Sequence, residues 1–130
     1  STLIGILMLA ADQAAADYLL TKTGTGLREY YCQITVSLEN QSGTKLTEMN
    51  GHFLSFVGET RVGRSRGASF LNAEPGGVVT AVFETPNAPC DAVTHYHFVV
   101  GACRIGSGFE DQSVCTNQVV ATPPLSLPTE

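Results

Sequence analysis

CDAVTHYHFVVGACRIGSGFEDQSVC, residues 90–115, holds three of the four cysteines of the chain and two of its three histidines. Its first half predicts a strand over residues 92–103, because successive side chains of a strand point to opposite faces. Both faces are largely apolar or aromatic, which is typical of a central strand that is covered on both sides. Residues 106–110 then predict a turn, and residues 112–122 predict the returning strand of a hairpin.

The four cysteines predict two disulfide bonds. Their even number and the lack of a CxxC pair do not fit a structural zinc site or a thioredoxin-like redox motif. A hairpin that turns at residues 106–110 faces Cys103 towards Cys115 and leaves Cys32 for Cys90, although four cysteines allow three connectivities. Because disulfides persist in oxidising compartments, we expect a secreted or periplasmic domain, either free or associated with a membrane or cell surface.

The size and charge of the chain limit its class. Its 130 residues suffice for one well-buried core and are too few for two ordinary domains. The net charge is -5, so we do not expect a nucleic-acid surface, which needs clustered Lys and Arg. Arg61, Arg64 and Arg66 are a local exception, and we interpret them as a solvated edge strand that resists pairing with other chains.

The middle of the chain predicts further short strands. Residues 30–38 alternate, with four apolar side chains on one face: Cys32, Ile34, Val36 and Leu38. Gly51 interrupts the next alternating run and predicts a β-bulge. About seven such strands over residues 23–122 predict a mostly β fold, an immunoglobulin-like antiparallel β-sandwich. The proline-rich residues 123–130 predict an extended tail.

Residues 1–22 differ in composition from the rest of the chain and predict a hydrophobic α-helix. At about 100° per residue, most of the apolar side chains gather on one half of this helix, with Asp12 and Asp17 on the other half. We predict that the apolar half forms an interface with protein, either between subunits or in a larger assembly. The predicted interface residues are Leu3, Ile4, Leu7, Met8, Ala11, Tyr18 and Leu19.

Two other interpretations of residues 1–22 stay open. A secretory signal has such an apolar run and an Ala-x-Ala site, although the positively charged start of a signal is missing here. A membrane anchor needs about 20 consecutive apolar residues, and Asp12 and Asp17 interrupt the run in this chain. Membrane contact through the helix is therefore the alternative to packing against protein.

One stretch in the middle of the chain, residues 36–84, reads VSLENQSGTKLTEMNGHFLSFVGETRVGRSRGASFLNAEPGGVVTAVFE. It resembles the bacterial FxLYD-type and related immunoglobulin-like domains, in which a strand ends in an Asn-x-(Ser/Thr)-Gly turn and a later Pro-Gly turn precedes a strand ending in Phe. Residues 53–56 read Phe-Leu-Ser-Phe where that family has Phe-x-Leu-Tyr-Asp. The resemblance implies an extracytoplasmic β-sandwich used for binding or assembly, without catalytic residues. Residues 40–42 also form a glycosylation sequon.

The strongest candidate for a chemically functional site is the pair His95 and His97. Two histidines at alternate positions of a strand project from one face, so both imidazoles could bind one copper or zinc ion. His52 or a carboxylate such as Asp91 is the candidate third ligand. Histidines in strands also commonly bond to polar neighbours, so the pair by itself does not establish a metal site. The sequence contains no nucleophile elbow, P-loop or dinucleotide motif.

These features predict a non-catalytic structural or accessory protein without a cofactor. We expect it to take part in protein–protein assembly, with itself or with another protein, through the helix of residues 1–22 and the surface of the sandwich. The alternative function is a secreted copper- or zinc-binding protein, or a small metalloenzyme, that uses His95 and His97.

Overall fold

Ten strands and one short helix make up the part of the chain that this computed structural model describes, residues 17–128. The fold is mostly β, as predicted. In chain order the elements are β1 (Tyr18–Arg28), β2 (Tyr31–Asn40), β3 (Leu46–Val57), β4 (Thr60–Arg64), β5 (Ala68–Ala73), β6 (Val78–Pro86), β7 (His95–Ile105), β8 (Gly108–Glu110), α1 (Gln112–Asn117), β9 (Val119–Ala121) and β10 (Leu125–Ser126). No helix in this part of the chain is long and apolar enough to cross a bilayer.

The strands form two hydrogen-bonded sheets. The first sheet has the order β6-β2-β1-β9, and the second has the order β10-β7-β3-β4, with β5 also paired to β3 and β8 also paired to β7. Most neighbouring strands are antiparallel, but β9 runs parallel to β1 and β10 runs parallel to β7. The sheets are therefore mixed rather than purely antiparallel, and the described residues hold more strands than the sequence predicts.

One hydrophobic core lies between the two sheets. In β2, every second residue from Cys32 to Asn40 is buried, which is the alternation that the sequence shows. Phe83 of the first sheet lies edge-on to Phe53 of the second, with 4.7 Å between the ring centroids, and Phe98 lies 4.9 Å from Phe53. All three phenylalanines are fully buried, so the two sheets pack face to face around them.

The bulge predicted at Gly51 is present. The pairing of β3 with β7 shifts register between Met49 and Gly51. A Cβ atom on Gly51 would collide with the carbonyl oxygen of Val99, so the glycine allows the two strands to approach closely. Beyond the bulge, the less buried residues of β3 lie on the outer face of the sheet: His52, Leu54 and Phe56.

Two disulfide bonds join the pairs that the sequence favours. Cys32 in β2 bonds to Cys90 in the loop before β7, and Cys103 in β7 bonds to Cys115. The second arm of the predicted hairpin is wrong, because Cys115 lies in α1 and not on a facing strand. The strand that pairs with this end of β7 is the short β8, where Glu110 lies opposite Cys103. A disulfide-linked helix thus takes the place of the first part of the predicted strand, and its last part, β9, pairs with β1 instead of β7.

The predicted hydrophobic helix of residues 1–22 is wrong over its last residues. These belong to strand β1, in which Tyr18 and Leu20 are buried in the core and Leu19 is only partly buried. Alternate burial is a strand pattern, and three adjacent apolar side chains conceal it in the sequence. The rest of the predicted helix, residues 1–16, lies outside the described residues.

Both predicted boundaries of the β domain shift outward. β1 runs across the boundary predicted at residue 23, and β10 lies within the predicted tail of residues 123–130. A proline is compatible with this position beside β7 because Pro124 pairs only through its carbonyl oxygen. That oxygen accepts a hydrogen bond from the Tyr96 N–H at 2.9 Å. Residues 119–126 thus add β9 to the first sheet and β10 to the second.

Candidate functional site

The outer side of β7 carries the histidine pair that the sequence singles out. Tyr96 and Phe98 are buried in the core, whereas His95, His97 and Val99 are only partly buried on the outer face of the second sheet. The strand is central, between β3 and β10, as predicted. The predicted coverage of both its faces is wrong, because the histidine side stays accessible to solvent.

Strand pairing places an arginine and a histidine on either side of an apolar residue in two neighbouring rows. The central residue of each row belongs to β3, the arginine to β4 and the histidine to β7. Paired side chains on one face of a sheet have Cβ atoms about 5 Å apart, so each row is a continuous surface. We name the two rows the Arg–His face: Arg61, Phe56 and His95 in the first row, and Arg64, Leu54 and His97 in the second.

The imidazole rings of this face pack against Phe56. The His95 ring is nearly parallel to the Phe56 ring with 4.9 Å between the centroids, and the His97 ring lies 4.4 Å away at an angle of 44°. The two imidazoles are 5.3 Å apart. The hydroxyl of Thr94 lies 3.1 Å from Nδ1 of His95, so the Nε2 edge of that ring is free of this contact. The three rings therefore form one packed cluster.

Two histidines on or beside the face are held towards their neutral form. Burial lowers the pKa of His97 below its ordinary value, and the nearby His95 lowers it further. Burial also lowers the pKa of His52, which lies next to the second row on β3, and the Arg64 and Arg61 guanidiniums act in the same direction.

No acidic side chain belongs to the strand segments that build this face. Residues 50–57 of β3, 60–64 of β4, 95–101 of β7 and 125–126 of β10 contain neither Asp nor Glu. Glu59 lies in the turn between β3 and β4, beyond the first row. The face is therefore basic, although the net charge of the whole chain is -5.

The predicted metal site is brought together only in part. His95 and His97 share one face, as the strand pattern predicts. Among residues 17–128, however, no group of three or more His, Cys, Asp or Glu side chains is placed to hold a metal ion, so neither His52 nor Asp91 completes the pair. Copper or zinc would have only the two imidazoles as protein ligands there.

The predicted interface residues lie mostly outside the described part of the chain. Tyr18 is an exception, and its assignment to an interface is wrong because β1 turns its side chain into the core. Leu19 lies partly buried on the outer face of the first sheet, opposite Glu39. The others fall among residues that the structure does not describe: Leu3, Ile4, Leu7, Met8 and Ala11.

Sequence reasoning missed the place of Arg61 and Arg64 in this surface. Both were expected on a solvated edge strand, and β4 is indeed the edge of its sheet. For Arg61 the available signal was the tight turn at residues 58–59, because it sets the register that pairs Arg61 with Phe56. The pairing of Arg64 with Leu54 depends in addition on a register shift between Ser55 and Phe56, which the sequence does not show. Arg66 is separate, since its guanidinium lies 4.9 Å from the centre of the Tyr31 ring on the first sheet.

The outer face of the first sheet carries different groups. One row across β1, β2 and β6 consists of hydroxyl side chains: Thr21, Ser37 and Thr80. Another row has a carboxylate between two apolar residues: Leu19, Glu39 and Val78. Neither of these rows contains the combination of arginine and imidazole found on the second sheet.

Comparison with known proteins supports the fold and leaves the function open. No protein-family model matches the chain, and the comparison with curated proteins finds no match. Among solved structures, the chain is similar to IrmA from Escherichia coli, with a TM-score of 0.63 and 12% sequence identity over 87% of this chain and 95% of IrmA. At this low identity the likeness concerns the fold alone.

Proposed function

We propose that this chain is a non-catalytic, extracytoplasmic immunoglobulin-like β-sandwich that binds another protein through its surface. The observation that carries the proposal is the Arg–His face, in which an apolar and aromatic centre lies between arginine and histidine columns. Aromatic residues and arginine are enriched at the centres of protein interfaces, and Glu, Asp and Lys are depleted there. The composition of this face matches that pattern.

The rigidity of the supporting strands favours binding at this face. Leu54 and Phe56 belong to β3, which has strands on both sides and whose inward Phe53 is fully buried. Side chains on such a strand are already ordered, so association costs less conformational entropy than it would on a loop. The His95 ring stacked on Phe56 further restricts the aromatic centre.

The compartment is proposed from the two disulfide bonds. Disulfides are rare in reducing compartments, so the two bonds indicate an oxidising one, and we propose a secreted or periplasmic protein. The resemblance of residues 36–84 to FxLYD-type domains implies the same compartment and a role in binding. Assembly or membrane contact through residues 1–22 concerns mostly residues outside the described range and stays a prediction.

A selection from a random peptide library tests the binding function without knowledge of the natural partner. The bait is the oxidised full chain, and the affinity of each enriched peptide is measured by fluorescence anisotropy. The double substitution Leu54→Ser and Phe56→Ser should lower the affinity for the enriched peptides by at least about tenfold, because each apolar side chain buried at an interface contributes about 1–3 kcal/mol.

The matched control is Val78→Ser with Val82→Ser. These valines are 59% and 48% exposed on the first sheet, away from the Arg–His face. The affinity of the control for the same peptides should stay within about twofold of the unmodified chain, as for distant independent sites. The proposal fails if no peptide is enriched, or if the Leu54 and Phe56 variant binds as well as the control.

The alternative function, metal binding, is favoured by one observation: the imidazoles of His95 and His97 project from the same face with 5.3 Å between their centroids. Elemental analysis after dialysis against copper and zinc tests it. One ion per chain that is lost in His97→Gln is the expected result for a metal protein. A chain that retains neither ion rules out this function for these metals.

A further inference from the structure

We infer that the Arg–His face binds an acidic segment of a partner protein. In this complex the carboxylates of the segment lie beside Arg61 and Arg64, and its apolar side chains cover Leu54 and Phe56. The inference rests on the proposed function and specifies the chemistry of the partner at the same site.

The arginines of the face have no partner of their own. Arg61 and Arg64 are both exposed, and among residues 17–128 neither guanidinium takes part in an ion pair. A guanidinium binds a carboxylate through two parallel hydrogen bonds, which gives both strength and orientation. Two free guanidiniums on one face therefore fit a segment that carries several carboxylates.

The charge of the rest of the chain makes this face distinctive. The net charge is -5, yet the strand segments that form the face contain neither Asp nor Glu. Two acidic residues flank the part of β3 that belongs to the face. Glu48 precedes it within β3, and Glu59 follows it in the turn before β4. An acidic partner is thus attracted to one face and repelled by most of the remaining surface, which orients its approach.

The apolar centre distinguishes a protein segment from a simple polyanion. Neighbouring strands lie about 4.8 Å apart, so the arginine column on β4 and the histidine column on β7 are about 10 Å apart with β3 between them. A peptide can cover this centre with apolar side chains while its carboxylates reach both columns. A polysaccharide such as heparin would leave Leu54 and Phe56 uncovered and would gain no burial of apolar surface.

A peptide of alternating glutamate and leucine is the probe, and the same peptide with glutamine in place of glutamate is its comparison. Binding to the oxidised full chain is measured by fluorescence anisotropy at low salt and about pH 7.5. We expect the glutamate peptide to bind at least about tenfold more tightly than the glutamine peptide.

Two pairs of substitutions locate the effect. The double substitution Arg61→Gln and Arg64→Gln should lower the affinity for the glutamate peptide by at least about tenfold. Lys22→Gln with Arg28→Gln is the matched control, because it removes the same charge from β1 of the other sheet, and its affinity should stay within about twofold.

Several results would overturn the inference. Equal affinity for both peptides, or equal binding by the Arg61 and Arg64 variant and the control, excludes an acidic partner. Binding of heparin without binding of the glutamate peptide shows a simple polyanion site. A dimer in sedimentation velocity that the two arginine substitutions dissociate shows a second copy of this chain instead.

The library selection separates this inference from the proposed function. Enriched peptides that need Leu54 and Phe56 but contain no excess of Asp or Glu preserve the binding function and overturn the acidic partner alone. Enriched peptides that are acidic and need both the apolar centre and the arginines support the two together.

Discussion

Asn40 is a fully buried polar side chain whose hydrogen bonds are made within the fold. Its Nδ2 donates to the carbonyl oxygens of Thr44 and Ala73, at 2.9 and 2.8 Å. Its Oδ1 accepts from the backbone N–H and the hydroxyl of Ser42, at 2.9 and 2.7 Å. The sequon that begins at Asn40 is therefore inaccessible to glycosylation in the folded domain, because glycosylation requires an accessible amide nitrogen.

Asn40→Ala should lower the free energy of unfolding by about 2–4 kcal/mol. The substitution leaves the carbonyl of Ala73 without its donor, and an unpaired buried polar group costs about 1–3 kcal/mol. Gln41→Ala is the control, since Gln41 is exposed and surface substitutions usually change stability by less than about 0.5 kcal/mol. Urea denaturation measures both variants, and similar losses in the two would contradict this role of Asn40.

The histidines of the second sheet predict how stability depends on pH. Because the pKa values of His97 and His52 are lowered in the folded domain, the unfolded chain takes up protons at these sites first as the pH falls below about 6.5. Their contribution to stability is thus present above about pH 6.5 and is lost progressively below it. Nuclear magnetic resonance titration should place both below the ordinary value, and His52→Gln with His97→Gln should reduce the acid-dependent loss.

At the level of elements, regular alternation is what made strands predictable. β2 and β3 bury every second side chain over a long run, so their period of two is visible in the sequence. β1 begins with three adjacent apolar residues, continues through Thr, Lys and Gly, and ends in the exposed Leu27 and Arg28, so it lacks that signal. α1 has only six residues and β10 only two, and both depend on contacts with β7 rather than on local pattern.

Only the part of the Arg–His face that lies on β7 was predictable from the sequence. The projection of His95 and His97 from one side of β7 follows from the spacing of two residues. The addition of Phe56 and Arg61 requires the pairing of β7 with β3 and of β3 with β4, including a register shift in each pair. A bulge displaces every later pair by one residue, and its position is set by tertiary packing as well as by sequence.

The two disulfide bonds should affect different elements. Cys103→Ala with Cys115→Ala opens a loop with a sequence separation of 12 and should cost about 3 kcal/mol, whereas Cys32→Ala with Cys90→Ala opens one of 58 and should cost about 4 kcal/mol. Only the first pair of substitutions should speed amide hydrogen exchange in α1, because that bond ties the helix to β7. Equal loss of protection in α1 in both variants would refute this assignment.

At the level of the whole molecule, β1 is an integral part of the hydrophobic core. Tyr18 and Leu20 are exposed by only 1% and 0%. Removal of residues 1–20 should therefore destabilise the chain by about 3–6 kcal/mol relative to removal of residues 1–16, at about 1.5–3 kcal/mol for each buried side chain. Chemical denaturation of the two truncated chains measures the difference, and equal stability would show that these side chains are dispensable.

The C-terminal strands impose an order on how the domain can fold. Residues 119–126 supply the outer neighbour of β1 in one sheet and of β7 in the other, and they follow all the other strands in the chain. While such a chain emerges from a ribosome or a translocation channel, both sheets keep an open edge on which another strand could pair. β1 and the start of β7 each gain their second neighbour only from these last strands, so the fold is complete only when residues 119–126 are free to pair.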